Sequence, residues 1–173
     1  MDLFRKALSE ILKLPFMNPL LQSTAKHLSR ITLSETPTTS LYALHPDIRY
    51  KVEAIMAEMN THGMPVYIVS GFRSEASQSR LYEQGRTTAG NIVTYAKPLE
   101  SAHNLGLAVD FMFKVYNYTT NQPPESYWQR LGETIEKHGM AWGGRWEGFA
   151  DRPHAEHSSF ENNRKTLLEF FKK

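Results

Sequence analysis

The chain has 173 residues, 40% of them hydrophobic and 22% charged, which is the size and composition of one soluble globular domain. It contains no cysteine, which excludes a disulfide scaffold, a thiolate metal site and a cysteine nucleophile. The formal net charge of +2 is too small to indicate a nucleic-acid-binding protein, and no apolar run is long enough to span a bilayer. Any metal must therefore be held by His and carboxylate ligands.

The N-terminal part differs in composition from the rest of the chain. Apolar residues recur at helical spacing over residues 2–14, which predicts a helix. Residues 22–40 are rich in Ser, Thr and Pro, which is typical of a loop or linker. We therefore divide the chain into residues 1–40, an N-terminal helix and linker without a predicted role, and residues 41–173, a single domain.

The domain intermixes helices and strands. Apolar patterns and Gly or Pro stops predict helices over 46–60, 75–84 and 125–138 with a last one from about residue 161, and strands over 65–69, 107–113, 140–142 and 153–157. In the helix over 75–84 we expect Leu81 and Tyr82 to face the core. Because these elements do not follow a regular βαβ rhythm, the pattern indicates the α+β class.

The predicted strand over 107–113 contains one carboxylate among apolar residues. Asp110 is costly to bury there unless it is paired or binds a metal. His103 lies in the loop just before this strand, and imidazole and carboxylate are both good zinc ligands. Taken singly, Asp110 is equally compatible with a half-exposed strand and His103 with an ordinary loop histidine, so the assignment depends on a second cluster.

That second cluster surrounds the last predicted strand. Pro153 interrupts strand pairing, which lets Asp151 face the same site as His154. Along the strand, His154 and Glu156 share a face and His157 points away. We therefore predict His154 as a metal ligand and His157 as a partly exposed histidine without a metal role. For Glu156 two interpretations stay open, an acceptor that orients a liganding imidazole or a surface carboxylate.

Both clusters fit a known motif, Ser-x-His-x-x-Gly-x-Ala-x-Asp over 101–110 and Asp-x-Pro-His over 151–154. The motif resembles that of the zinc D-Ala-D-Ala peptidase and endolysin family, which includes D,D-carboxypeptidases, vancomycin-resistance D,D-dipeptidases and phage L-alanyl-D-glutamate endopeptidases. The resemblance spans residues 44–157, and the segment 82–96 is most similar to the phage endopeptidase branch. Residues 97–100 depart from the pattern, since a glycine-containing turn is expected there.

The resemblance implies a fold and a metal site. The implied fold is that of Hedgehog and DD-peptidase domains, a small, mostly antiparallel sheet flanked by helices. The implied cofactor is a zinc ion held by His103, Asp110 and His154, with the fourth tetrahedral position open for water. Asp151 matches the family's catalytic carboxylate, which acts as general base.

Further residues are expected around the substrate. Arg73 follows a predicted strand and matches the family's arginine that binds a substrate carboxylate or stabilises the oxyanion, the alternative being a solvated loop arginine. Ser101 and Gln78 are expected to line the substrate pocket. Trp142 and Trp146 form either a stacking wall for sugar or peptide or part of the core.

The resemblance implies a zinc metallopeptidase acting on peptidoglycan stem peptides, and the segment 82–96 favours cleavage of the L-alanyl-D-glutamate bond. The alternatives are a D-alanyl-D-alanine carboxypeptidase or dipeptidase, a catalytically silent zinc-containing binding module, and a structural zinc domain with His157 as fourth ligand. Asp151 favours an enzyme, because a silent module can lose its base and keep its metal. We expect a monomer that stays in the cytoplasm until lysis releases it to the wall, since no signal-peptide core is evident.

Overall fold

The computed structural model describes residues 19–28, 39–117 and 119–164, and the helix predicted over 2–14 lies outside these ranges. The α-helices are α1 (Pro19–Leu28), α2 (Pro46–Thr61), α3 (Glu75–Glu83) and α4 (Glu125–Lys137), and the strands are β1 (Val66–Ser70), β2 (Ala108–Phe113), β3 (Met140–Trp142) and β4 (His154–His157). Residues 160–164 are also helical. Within the described ranges, no helix combines the length and apolar character needed to cross a membrane.

The four strands form one antiparallel sheet in the order β1-β2-β4-β3. β2 is therefore paired on both sides, which explains why its sequence is almost wholly apolar. In the ladder between β2 and β4, Asp110 lies directly opposite His154. The α+β class and all four predicted strands are confirmed, each to within one residue at either end.

The hydrophobic core lies between this sheet and two of the helices. It contains Ile48, Val52, Ile55 and Met59 of α2, Trp128, Leu131 and Ile135 of α4, and Val109, Phe111, Met112 and Phe113 of β2. The α2 residues recur every three or four positions, so one face of an amphipathic helix is buried. The core thus holds β2, and with it Asp110, in a fixed position relative to both helices.

The linker predicted over 22–40 is wrong for residues 22–28, because these residues belong to helix α1. Leu20, Thr24 and His27 are buried at helical spacing, so the helix is stabilised by docking on the domain rather than by its composition. Ser23 Oγ lies 2.7 Å from Nε2 of the buried His45. The division of the chain at residue 40 stays a prediction.

Helix α3 turns a different face inward from the one expected. Leu81 and Tyr82 are only half-buried, whereas Ser77 and Gln78 are buried. Ser74 caps the helix by accepting a hydrogen bond from the Ser77 N–H. The polar face packs inward because Gln78 finds hydrogen-bond partners there, which an apolar pattern cannot reveal.

The contact between Gly132 of α4 and Trp142 of β3 gives a first testable prediction. The indole of Trp142 is buried and its Nε1–H donates to the Arg152 carbonyl at 2.8 Å, so the ring is fixed. A Cβ at Gly132 would overlap that ring. Replacing a helical glycine by alanine ordinarily stabilises by about 0.5–1 kcal/mol, but here we expect Gly132→Ala to destabilise by about 1–3 kcal/mol.

Urea unfolding of both forms measures this change, with Gly63→Ala as the control. Gly63 has a φ of +70°, and a Cβ there would have no atom within 4 Å, so alanine would meet only backbone strain of about 1 kcal/mol. A Gly132→Ala variant as stable as the wild type would contradict the packing described. Trp142 is therefore a core residue, and the stacking-wall interpretation does not hold for it.

Candidate metal centre

Three ligand-type side chains converge at one end of the sheet. Asp110 on β2 and His154 on β4 are paired across the ladder, and His103 reaches them from the short 3-10 helix Ala102–Leu105. His103 Nε2 lies 3.4 Å from Asp110 Oδ1, His154 Nδ1 lies 3.1 Å from the same oxygen, and the two nitrogens are 3.3 Å apart. The structure thus brings together the three residues that the sequence predicts as ligands.

The size of this triangle fits a bound metal ion. Tetrahedral ligands at metal distances of about 2.0–2.1 Å are separated from one another by about 3.3 Å. The three measured separations lie close to that value without any rearrangement of the side chains. Two imidazoles and one carboxylate leave a fourth tetrahedral position for water or substrate, as in catalytic rather than structural sites.

Both imidazoles are oriented by hydrogen bonds from their outer nitrogens. His103 Nδ1 donates to the Gly71 carbonyl at 2.8 Å, so the lone pair of Nε2 faces the site. His154 Nε2 lies 3.1 Å from Glu156 Oε2, which likewise leaves Nδ1 facing the site. Because Glu156 is buried, its interpretation as a surface carboxylate is wrong, and the geometry favours the orienting role.

The ionisable groups of the cluster shift one another's pKa values. Burial alone would lower the pKa of His154, but hydrogen bonds and charges from Asp110 and Glu156 raise it to about 10. Burial would raise the pKa of Asp110, but His103 and His154 hold it well below its usual range. The carboxylates and imidazoles of the cluster therefore stabilise one another's charged forms.

A cleft of about 710 Å³ opens onto the three ligand residues. The same cleft is lined by Arg73 and Asp151, which the sequence predicts as catalytic residues, and by Ser101, which it predicts as a substrate-binding residue. Ser101 also caps the 3-10 helix by accepting a hydrogen bond from the His103 N–H. The wall of the cleft therefore combines charged groups, a hydroxyl and the ligand-type side chains.

Asp151 is held in the cleft by its backbone. Its N–H donates to the Gly143 carbonyl at 2.9 Å, and its own carbonyl accepts from the His154 N–H at 3.2 Å. A Cβ at Gly143 would lie 2.6 Å from the Asp151 carbonyl oxygen, so only glycine allows this close approach. Within the described ranges, no residue hydrogen-bonds the Asp151 carboxylate, which leaves it available to a ligand.

The environment of Asp151 suits a proton acceptor. Burial raises the pKa of its carboxyl group, and the charge of Asp110 adds to that shift. His154, His103 and Arg73 act in the opposite direction without cancelling it. A carboxylate whose pKa is shifted towards neutrality both takes and returns a proton more readily than an ordinary aspartate.

Arg73 is clamped beside the metal-binding residues. Its Nη1 donates to Gln78 Oε1 at 3.0 Å and its Nη2 donates to Ser70 Oγ at 2.9 Å. Nη2 also lies 3.6 Å from Asp110 Oδ2, and the side chain is largely buried. Burial lowers the pKa of Arg73, while Asp110 and Asp151 oppose that shift. The solvated-loop interpretation is therefore wrong for this arginine.

The expectation that Gln78 lines the substrate pocket needs correction. Its side chain is fully buried, and it does not belong to the wall of the cleft. Oε1 accepts from Arg73, and Nε2 donates to the Ala96 carbonyl at 2.8 Å. With its amide engaged on both sides, Gln78 positions Arg73 against the loop around Ala96 instead of contacting a ligand.

The sequence patterns do not indicate the roles of Leu99 and Asn104, which lie behind the site. Leu99 has a φ of +68°, which explains why a glycine-containing turn is expected at 97–100. Its N–H donates to Asn104 Oδ1 at 3.0 Å, and Asn104 Nδ2 donates to the Arg73 carbonyl at 2.8 Å. Asn104 thus ties the turn to Arg73, a role that depends on contacts between distant segments and has no spacing signal.

Trp146 belongs to the cleft, whereas His157 lies outside the ligand triangle. Trp146 lines the cleft, with its ring 4.9 Å from that of His154. His157 lies outside the ligand triangle, and its Nδ1 accepts a hydrogen bond from the Ser159 N–H at 3.1 Å. This geometry gives no support to a structural site with His157 as fourth ligand.

Comparison with known proteins relates these residues to a family. A family model described as D-alanyl-D-alanine carboxypeptidase matches residues 94–157, which include all three ligand-type residues and Asp151. The chain is also 40% identical over 136 residues to the peptidoglycan L-alanyl-D-glutamate endopeptidase CwlK of Bacillus subtilis (strain 168). That match covers 74% of this chain and 80% of the relative.

Two solved structures share the fold at low sequence identity. The L-Ala D-Glu endopeptidase ChiX of Serratia marcescens has a TM-score of 0.51 and 19% identity, covering 75% of this chain and 95% of that one. The vancomycin-resistance D,D-pentapeptidase VanY, solved in complex with Zn(II), has a TM-score of 0.51 and 15% identity, covering 82% and 92%. The 40% identity to CwlK over 74% of this chain, together with the family model, shows that the chain belongs to the D-alanyl-D-alanine carboxypeptidase family of M15 peptidases.

Proposed function

We propose that this chain is a zinc-dependent endopeptidase that hydrolyses the L-alanyl-D-glutamate bond of peptidoglycan stem peptides. The observation that carries the proposal is the ligand triangle of His103, Asp110 and His154, which opens into a cleft beside Asp151 and Arg73. Zinc is the metal that this donor set and geometry favour. The 40% identity to an L-alanyl-D-glutamate endopeptidase supports the choice of bond.

The chain's own residues perform the proton and charge steps. When bound, zinc supplies the Lewis acidity that activates water and polarises the scissile carbonyl. Asp151 takes the proton of the attacking water and returns it to the leaving amine. Arg73 presents fixed N–H donors to the oxyanion or to a substrate carboxylate, and Gln78 and Ser70 keep those donors in place. Glu156 keeps the His154 ring in its ligating orientation.

A second candidate is cleavage of the terminal D-alanyl-D-alanine bond. It is favoured by the description of the family model that matches residues 94–157. A catalytically silent zinc module is less well supported, because Asp151 is present in the cleft in an environment that suits a base.

Mass spectrometry of purified peptidoglycan digested with the zinc-loaded protein distinguishes these functions. The proposal predicts fragments with a new N-terminal glutamate and sugar that keeps a single L-alanine. Loss of only a terminal D-alanine would favour the carboxypeptidase, and intact stems would favour the silent module. A digest with chelator-treated protein is the control and should leave all stems intact.

We also propose that the enzyme acts as a monomer and reaches the wall when a cell lyses. The cleft, the ligand triangle and Asp151 all belong to one chain, so no second copy is needed to complete the site. Size-exclusion chromatography with light scattering should give the mass of a single chain, and a stable dimer would contradict the proposal.

The role of Arg73 in stabilising the oxyanion or binding a substrate carboxylate gives a testable prediction. We expect Arg73→Ala to lower kcat/KM by about 100-fold, the scale for losing one oxyanion donor. Arg73→Lys should lose less, because it keeps the charge but not the planar fork that binds Gln78 and Ser70 together. Zinc content should stay at the wild-type value in both variants, since Arg73 does not belong to the ligand triangle.

Steady-state hydrolysis of a soluble stem peptide measures these changes. Arg130→Ala is the matched control, because Arg130 is an exposed arginine of α4 that pairs only weakly with Glu133 at 3.4 Å. Equal activity in wild type, Arg73→Ala and Arg73→Lys would remove Arg73 from the mechanism.

A further inference from the structure

Two exposed aromatic rings meet at the rim of the cleft. Tyr95 and Phe149 both line it, and their ring centroids are 6.0 Å apart in an edge-on arrangement. Tyr95 is 70% exposed and Phe149 is 51% exposed. A ligand that covered these rings would remove apolar surface from water, which is favourable. Trp146 lines the same cleft, and its ring lies 4.9 Å from that of His154 in the ligand triangle.

The loop that carries Tyr95 is held in place from several sides. Arg86 Nη2 donates to the Thr94 carbonyl at 3.1 Å, and its guanidinium lies 5.9 Å from the centre of the Tyr95 ring. Gln84 Nε2 donates to the Asn91 carbonyl at 3.1 Å. An exposed ring on an anchored loop binds a ligand at a smaller entropic cost than a ring on a freely moving loop.

The chemistry of the proposed substrate places a sugar near the scissile bond. The stem peptide begins with L-alanine, whose nitrogen is acylated by the lactyl group of N-acetylmuramic acid. Only about two residue lengths, roughly 7 Å, separate the L-alanyl carbonyl from the sugar ring. For the terminal D-alanyl-D-alanine bond the separation is about five residue lengths, or roughly 17 Å. A protein that cuts the first bond therefore meets the sugar within its own cleft.

We propose that the Tyr95–Phe149 pair forms a subsite for this N-acetylmuramoyl sugar, an inference that rests on the proposed endopeptidase function. Pyranose rings present C–H groups on their faces, and aromatic rings bind such faces by burying apolar area and through weak C–H contacts. The pair is continuous with the cleft that contains the ligand triangle. The protein thus recognises the junction of glycan and peptide rather than the peptide alone.

The test compares two substrates that differ only in the sugar. One is the N-acetylmuramoyl tetrapeptide, and the other is the same tetrapeptide with an O-methyl-D-lactyl group on L-alanine, which keeps the amide and the lactyl ether. We expect wild-type kcat/KM to be at least about tenfold higher for the muramoyl substrate, the scale for one stacked aromatic contact. Tyr95→Ala and Phe149→Ala should each bring this ratio close to one, whereas Tyr95→Phe should keep it.

Tyr50→Ala is the matched control, because Tyr50 is 73% exposed on α2 and lies outside the cleft. It should leave the ratio unchanged. A wild type that cleaves both substrates equally well at the L-alanyl-D-glutamate bond would overturn the sugar subsite and leave the proposed function intact. Equal losses on both substrates in Phe149→Ala would assign the rings to the peptide instead. If neither substrate is cut at this bond, the proposed function and the subsite both fail.

Discussion

Replacing His154 by alanine is expected to remove the zinc and to lower hydrolysis by about 1000-fold, the upper scale for losing electrostatic stabilisation of a transition state. His154 Nδ1 lies 3.1 Å from Asp110 Oδ1 and 3.3 Å from His103 Nε2, so its loss removes one of the three corners of the triangle. An ion bound at the triangle would join β2, β4 and the 3-10 helix, so the free energy of metal binding would also stabilise the fold. Thermal stability should therefore fall and lose its dependence on added zinc.

Elemental analysis, a melting curve with and without zinc, and a peptidoglycan digest measure these effects. His103→Ala and Asp110→Ala should behave in the same way. His157→Ala is the matched control on the same strand, since its ring accepts from Ser159 and lies outside the triangle. It should keep one zinc per chain. Loss of zinc from His157→Ala, or its retention in His154→Ala, would show that the ligands are assigned wrongly.

Replacing Asp151 by asparagine is expected to keep the fold and the zinc but to lower kcat by about 100-fold or more, the usual scale for a lost general base. Asparagine has the same shape, and the backbone bonds of Asp151 to Gly143 and His154 do not involve its side chain. The amide cannot accept the proton of water at neutral pH. The loss should therefore appear in kcat while zinc content stays at one per chain.

The pH profile adds a second readout for Asp151. A base works only when deprotonated, so activity is present above its pKa and is lost as the pH falls through it. Burial and the charge of Asp110 act to raise this pKa, whereas His154, His103, Arg73 and a bound metal ion would act to lower it, so the acidic limb of the wild-type profile should follow the ionisation of Asp151. Asp151→Asn should lack this limb. Near-normal turnover by the variant would exclude Asp151 as the base.

The sequence predicts the parts of the structure that short-range patterns encode. Asp110 stands out because a carboxylate within an apolar strand needs a partner, and the antiparallel ladder provides one in His154. Strand alternation separates His154 and Glu156 from His157, and the structure shows the same separation. In the second case a period of two along the strand is sufficient to assign the face.

Other features depend on contacts between distant segments. Gln78 is buried because Arg73 and the Ala96 carbonyl satisfy its amide, which the helical pattern of α3 does not indicate. Helix α1 forms where the composition suggests a linker, because docking on the domain stabilises it. Gly71 orients His103 through its carbonyl, and every residue type offers that group. Sequence patterns therefore predict the ligand-type residues better than the residues that position them.

Anomalous X-ray diffraction at the zinc absorption edge tests the central claim most directly. Crystals of the zinc-loaded protein should show one strong peak at about 2.0–2.2 Å from His103 Nε2, Asp110 Oδ1 and His154 Nδ1, with the fourth position facing the cleft. His103 should still donate to Gly71 and His154 to Glu156. A protein that has no peak at this triangle, or a peak completed by His157 as a fourth protein ligand, would contradict the account.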